Sequence, residues 1–205
     1  IEENSILYNG TPRLIKKLKG TVFSLLTGGA GNFNYWHWLF DVLPRLFLYK
    51  KIGKLQDINF FLIPSDKKSF QSETLDLLSI KKDKRLSSEK YRHIKTENLI
   101  ITDHPVVTSG DATKDIMNMP AWISEWLKSE FIKKDNFSKN IVDNIYIDRA
   151  DVKSNKKEQR IIKNEEQVKN FLNKNKFKSV KLHEISFSKQ VELFNNAKCI
   201  VGLHG

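Results

Sequence analysis

The chain has 205 residues, of which 40% are apolar, 29% charged and 11% aromatic, a globular composition that excludes a disordered or fibrous chain. One cysteine excludes an internal disulfide framework and a cysteine zinc site, and no apolar run approaches the ~20 residues of a spanning helix. The net charge of +11 raises nucleic acid as a partner, but the excess is lysine scattered beside asparagine, as in "NKNKFK". No like-charge block interleaves with aromatics, so no nucleic acid is expected, while a basic cleft for an anionic substrate stays compatible.

In chain order, "GTVFSLLTGGAGNF" reads as a strand over Val22 to Leu26, a glycine-rich loop and the start of a helix. That helix runs from about Asn34 to Lys51. "INFFLIP" is a strand stopped by Pro64, and "SFQSETLDLLSI" is an amphipathic helix with Leu75 and Leu78 on one face. "ENLIITDHP" is a further strand. "PAWISEWLKSEFI" is a helix with Pro120 in its first turn and a stripe of Ile123, Trp126 and Leu127. "KKDNFSKNIVDN" is polar and turn-rich and reads as a linker. After it, "NIYIDR", "FKSVKLH" and "KCIVGLHG" are strands separated by the helices "NEEQVKNFLNKN" and "SFSKQVELFNNA". Short connections between alternating strands and helices predict right-handed crossovers and a parallel, Rossmann-like sheet. Asn164 with Gln167 forms an expected capping box, Ser186 caps the last helix, and Cys199 reads as a buried small hydrophobe. Ile1 in place of Met and the terminal "GLHG" read as cut ends.

Three places could carry chemistry. In "NYWHWLFDVLPRLF", His37, Asp41 and Arg45 are spaced four apart inside a helix that is apolar nearly all round. Burial demands partners for such groups, and Asp41 can accept from His37 on one side and Arg45 on the other. Pro44 lacks an N–H, which predicts a kink near Phe40–Asp41. Two readings follow: a polar ladder that satisfies itself, or a histidine held in one tautomer by Asp41 with its free nitrogen as general base. The glycine-rich "GGAGNFN" before it lets backbone approach a ligand, yet matches neither the P-loop nor the dinucleotide spacing. In "DRADVKSNKKEQRIIKNEE", Arg149 ends a strand and Arg160 follows, and guanidinium groups suit phosphate oxygens. The alternative is a solvated basic loop, with Asn164 and Glu165 serving as cap and first-turn residues. In "VGLHG", His204 and Gly205 begin a loop at the end of a strand, where open α/β sheets bind ligands. The chain has no Asp-x-Asp, so a two-carboxylate metal site for a nucleotide diphosphate is not supported.

Taken together, "NYWHWLFDVLPRL", Arg149 to Arg160 with "RIIKNEE", and "SFSKQVELFNNAKCIVGLHG" resemble glycosyltransferase family 61, also filed as domain of unknown function 563. Its members are linked to capsular polysaccharide synthesis in bacteria and to xylan or O-linked glycan transfer in eukaryotes. The resemblance implies an α/β fold of GT-B type with two Rossmann-like domains: residues 1–138 as an N-terminal, acceptor-side domain and 139–205 as the start of a C-terminal nucleotide-sugar-binding domain, truncated at its C-terminus. It places His37 on the acceptor side, with Asp41 orienting it. Arg149 and Arg160 match arginines expected near the donor diphosphate, Asn164 and Glu165 are counted with them as donor-binding candidates, and His204 and Gly205 match the start of a His-Gly-Ala-Gly loop whose remainder is missing. The implied reaction is metal-independent transfer of sugar from a nucleotide-sugar co-substrate to a glycan or polysaccharide hydroxyl, with no cofactor. A cytoplasmic location is expected, with peripheral association at the membrane face compatible. The rival readings are a non-catalytic basic module that binds nucleic acid or an anionic polymer, and a GT-B-like nucleotide-sugar epimerase.

Overall fold

A computed structural model describes residues 14–27, 33–106, 109–132, 144–149 and 162–203. The chain divides into two compact units, Ile1–Glu130 and Phe131–Gly205. The expected boundary at 138/139 lies outside the described residues.

In the first unit, β1 (Lys16–Ser24), β2 (Phe60–Ile63), β3 (Arg85–Ser87) and β4 (Ile94–Ile101) form one sheet in the order β3-β2-β1-β4. Every pairing in it is parallel. Successive side chains of a strand point to opposite faces, and β1 uses both. Phe23 packs against the rings of Tyr49 and Phe61 at 5.1 and 6.2 Å. On the opposite face Val22 joins Leu62 and Leu86, with Tyr91 and Ile94 packed over them. Strand β3 has no counterpart in the sequence reading. It is three residues long and opens on a buried arginine, Arg85, whose guanidinium is taken up by Asp76 and the Ile80 carbonyl. Near its start β1 carries a bulge between Leu18 and Thr21. Gly20 sits there at φ +85°, where a Cβ would come within 2.3 Å of the Asn59 side chain.

Between β1 and β2 the chain forms α1 (Tyr35–His37), a π-helical turn (Trp38–Val42) and α2 (Pro44–Lys50). Asn34 caps the start, its side chain accepting from the backbone of Trp36 and His37 at 2.9 and 3.2 Å. The kink that Pro44 predicts takes the form of this π turn, in which Leu43 N–H reaches back to the Trp38 carbonyl at 3.0 Å. Trp38 is fully buried and its indole N–H donates to Thr74 on α3 (Ser69–Leu77) at 2.9 Å, which ties the π turn to the neighbouring helix. After β4 come α4 (Ala112–Met117) and α5 (Ala121–Phe131). In α5, Ile123 and Trp126 are buried and Trp122 stacks on Phe47 at 5.0 Å.

In the second unit, β5 (Asn144–Ile147), β6 (Lys178–Val180) and β7 (Cys199–Gly202) form a parallel sheet in the order β6-β5-β7. Helices α6 (Glu165–Lys174) and α7 (Phe187–Asn196) make the crossovers, as the strand–helix alternation predicts. Ser186 caps α7, its hydroxyl accepting from Lys189 N–H at 3.2 Å. The expected capping box at Asn164 is not formed. Its backbone is off the extended cap conformation at φ −112°, ψ 41°, and its side-chain amide donates to the Gln167 side chain at 3.1 Å instead. Cys199 is exposed rather than buried, on β7, an edge strand of this sheet among the described residues. Both units are therefore α/β with parallel sheets, compatible with Rossmann-like folds. Among the described residues no helix is long and apolar enough to cross a membrane.

Candidate functional site

Strand order positions the first group of side chains. From β1 the chain moves to β2 on one side, whereas β4 lies on the other side of β1, with Ser24 in register with Ile101. In open α/β sheets such a reversal opens a crevice beyond the carboxyl ends of the two strands, where ligands bind. The segment after β1 leads to His37 and Asp41, and the segment after β4 supplies Thr102, Asp103 and His104.

His37 Nδ1 lies 2.6 Å from Asp41 Oδ2, and the two side chains are 36% and 15% exposed. A carboxylate only accepts, so neutral His37 carries its proton on Nδ1 and keeps a lone pair on Nε2. That nitrogen has no hydrogen-bond partner among the described residues. The other carboxylate oxygen, Oδ1, faces His104 Nε2 at 3.8 Å, an ion-pair distance when the imidazole is charged and too long for a hydrogen bond. His104 is itself fastened, its Nδ1 being 2.8 Å from the Val106 carbonyl. Asp41 thus stands between two imidazoles.

Arg45 departs from the expected ladder. Its Nε donates to the backbone carbonyl of Asp41 and its Nη1 to the carbonyl of Thr102, both at 3.1 Å. It is not hydrogen-bonded to the Asp41 carboxylate. The π turn is wider than the 3.6-residue period assumes, and it swings Arg45 out of the His37–Asp41 stripe. Burial pulls the Arg45 guanidinium below its ordinary value, and the charges of Asp41 and Asp103 offset part of that. The result is a cross-tie from the helix to the end of β4. Thr102, which accepts that tie with its carbonyl, keeps its own hydroxyl oxygen buried without a partner among the described residues.

In the second unit, β6 and β7 flank β5, so the order again reverses at the central strand. Arg149 lies two residues past the end of β5 and is half-buried. Gly202 is in register with Ile147, and a Cβ there would sit 3.2 Å from the Ile147 side chain. Arg160, His204 and Gly205 lie outside the described residues. Glu165 accepts from the Tyr146 hydroxyl at 3.0 Å, and Asp148 pairs with Lys169 at 2.9 Å. Burial and the Glu165 carboxylate push the Tyr146 hydroxyl up to about 12. The hydrogen bond to Asp148 raises Lys169 above its usual value. These four side chains fasten the first turn of α6 beside the end of β5.

Sequence reasoning found His37 and Asp41 but missed His104. The signal was present in "ENLIITDHP", where an aspartate and a histidine follow a strand immediately. Only the pairing of β4 with β1 brings that strand end to Asp41.

Searches against curated proteins and against solved structures find no match to this chain. The family model described as Glycosyltransferase 61 matches residues 35–205, a span that includes the His37–Asp41 pair, the end of β4 and the whole second sheet, and the chain accordingly belongs to glycosyltransferase family 61.

Proposed function

We propose that the chain moves a sugar from a nucleotide-sugar donor to a glycan or polysaccharide hydroxyl, with His37 as the base. The observation that carries this reading is the 2.6 Å contact between His37 Nδ1 and Asp41 Oδ2. It leaves Nε2 as the basic nitrogen, and Asp41 stabilises the imidazolium that forms, as an aspartate does in hydrolytic triads. In the proposed step the acceptor hydroxyl loses its proton to His37 Nε2, and its oxygen forms a bond to the anomeric carbon. The bond from that carbon to the diphosphate oxygen breaks, and the nucleoside diphosphate leaves with the electron pair. Arg149, Arg160 and the backbone around His204 and Gly205 are assigned to the departing diphosphate, because guanidinium groups pair with phosphate oxygens in bidentate fashion. Asn164 and Glu165 would act indirectly, by holding the start of α6 beside Arg149.

In this reading the two units correspond to the acceptor-side and donor-side domains of a GT-B enzyme. Transfer proceeds without a metal, a reading supported by the absence of Asp-x-Asp from the sequence. The decisive experiment is His37→Ala in the intact protein, with transfer assayed by product analysis over a panel of nucleotide sugars. A positioned base is worth roughly 10²- to 10⁴-fold in rate, so kcat should fall by that order while the donor still binds. A variant that keeps near-normal kcat would remove His37 from the role.

A further inference from the structure

We infer that Trp36 is the stacking platform for a pyranose ring of the acceptor, set beside His37; this rests on the glycosyltransferase reading and adds the acceptor's subsite to it. The segment that carries the base contains two pairs spaced four residues apart. His37 and Asp41 form one, and Trp36 and Phe40 form the other. The two pairs are offset by one residue along the chain, so their stripes lie roughly 100° apart around the same short helical segment. The rings of Trp36 and Phe40 stack with centroids 4.1 Å apart and planes 25° from parallel.

Phe40 therefore backs one face of the indole and holds it in place. Trp36 remains 42% exposed, and no other ring packs on it among the described residues. Nearby aromatics are already engaged. Tyr35 meets Phe70 edge-on at 5.0 Å, and Phe33 lies under the Lys68 ammonium at 5.8 Å. Trp38, two residues on, is fully buried with its N–H donated to Thr74. Trp36 is thus the tryptophan of this segment with a face left for a ligand.

A flat, rigidly backed indole face suits one chemistry in particular. A pyranose with equatorial hydroxyls presents axial C–H groups on a face of its ring, and these carry partial positive charge toward the negative face of an aromatic system. The hydroxyls then project from the rim of the sugar, where the adjacent His37 Nε2 can meet one of them. The arrangement separates two tasks: the indole orients the acceptor, and the imidazole takes the proton.

The test uses the intact protein labelled with 5-fluorotryptophan. It is titrated with methyl β-D-glucopyranoside and methyl β-D-galactopyranoside, with sorbitol as an acyclic control, and followed by fluorine NMR. Of the four tryptophan resonances, the one absent from the Trp36→Phe variant should shift saturably with at least one glycoside and stay put with sorbitol. Saturation-transfer NMR on unlabelled protein should show Trp36→Ala weakening glycoside binding about 3- to 10-fold, the size of one aromatic contact. Trp36→Phe should restore most of it, and Phe33→Ala should leave it unchanged. A Trp36 resonance that ignores both glycosides, or that moves equally with sorbitol, overturns the proposal. So does a Trp36→Ala variant that binds glycosides as well as the parent. Thermal stabilisation by nucleotide sugars on the same samples reads the transferase assignment separately. Stabilisation with a silent Trp36 sinks the platform alone, and a responsive Trp36 with no stabilisation by any nucleotide sugar sinks the transferase reading while the platform stands.

Discussion

Asp41 shows how much a single side chain can be asked to organise. Its two oxygens face two imidazoles, at 2.6 Å from His37 and 3.8 Å from His104, and its backbone carbonyl accepts from Arg45. The His37 half of this arrangement was legible in the sequence, because a spacing of four on a helix puts two side chains in contact whatever the rest of the fold does. The Arg45 half was not. The spacing is the same, but a π turn intervenes and sends the guanidinium to two carbonyls. Thr102 offers a test at the same scale. Its hydroxyl oxygen is buried without a partner among the described residues, and such a group costs stability rather than adding it. Thr102→Val keeps the shape and removes the stranded oxygen. We expect an unchanged or higher melting temperature, and a loss of more than about 1 kcal/mol in urea titration would show that the hydroxyl has a partner in solution.

At the scale of elements, the bulge in β1 is the most demanding feature. Gly20 has φ +85° and its N–H donates to Glu97 at 2.7 Å, while Asn59 accepts from the next amide at 2.8 Å. A Cβ at Gly20 meets both an unfavourable backbone conformation and the Asn59 side chain. Gly20→Ala should therefore cost about 1–3 kcal/mol, read as a lower urea midpoint, and a neutral result would mean that the bulge can rearrange. The strands and helices of the second unit were read from the sequence because each follows a clean period. Strand β3 was not, since three residues beginning with an arginine leave no alternation to read; it exists because Leu62 and neighbouring groups of β2 offer it an edge. Cys199 and Asn164 failed for related reasons. Burial of a strand residue depends on what covers its face of the sheet, capping depends on the backbone angle of the cap, and neither is written in local composition.

For the molecule as a whole, the ionisation of one cluster links stability to pH. Tyr146 is raised from 10.0 to about 12, so its neutral form is the one the fold prefers. Stability from this group is complete below pH 10, where the unfolded chain also keeps the proton, and is lost as the pH rises through 12. Lys169, also raised, acts in the same direction at alkaline pH. Urea midpoints measured across this range should fall steeply for the native protein and less steeply for Tyr146→Phe, and parallel curves would refute the assignment. A second whole-molecule expectation concerns the reaction: transfer activity should survive EDTA at full rate, and restoration of a lost rate by added divalent ions would contradict a metal-free mechanism. The family itself was legible because three separate stretches carry its motifs in order along the chain, from Asn34 through Arg149 to Gly205. His104 escaped because its neighbourhood is a property of strand order, and strand order is decided by the packing of the whole unit.

The cross-tie from Arg45 to the Thr102 carbonyl divides what can change from what cannot. It fastens the segment bearing His37 and Asp41 to the segment bearing His104, so the three side chains are held as one unit. Trp36, by contrast, is exposed on the same segment and holds none of these bonds. If Trp36 seats the acceptor as proposed, a substitution there exchanges one acceptor for another without disturbing the arrangement around Asp41.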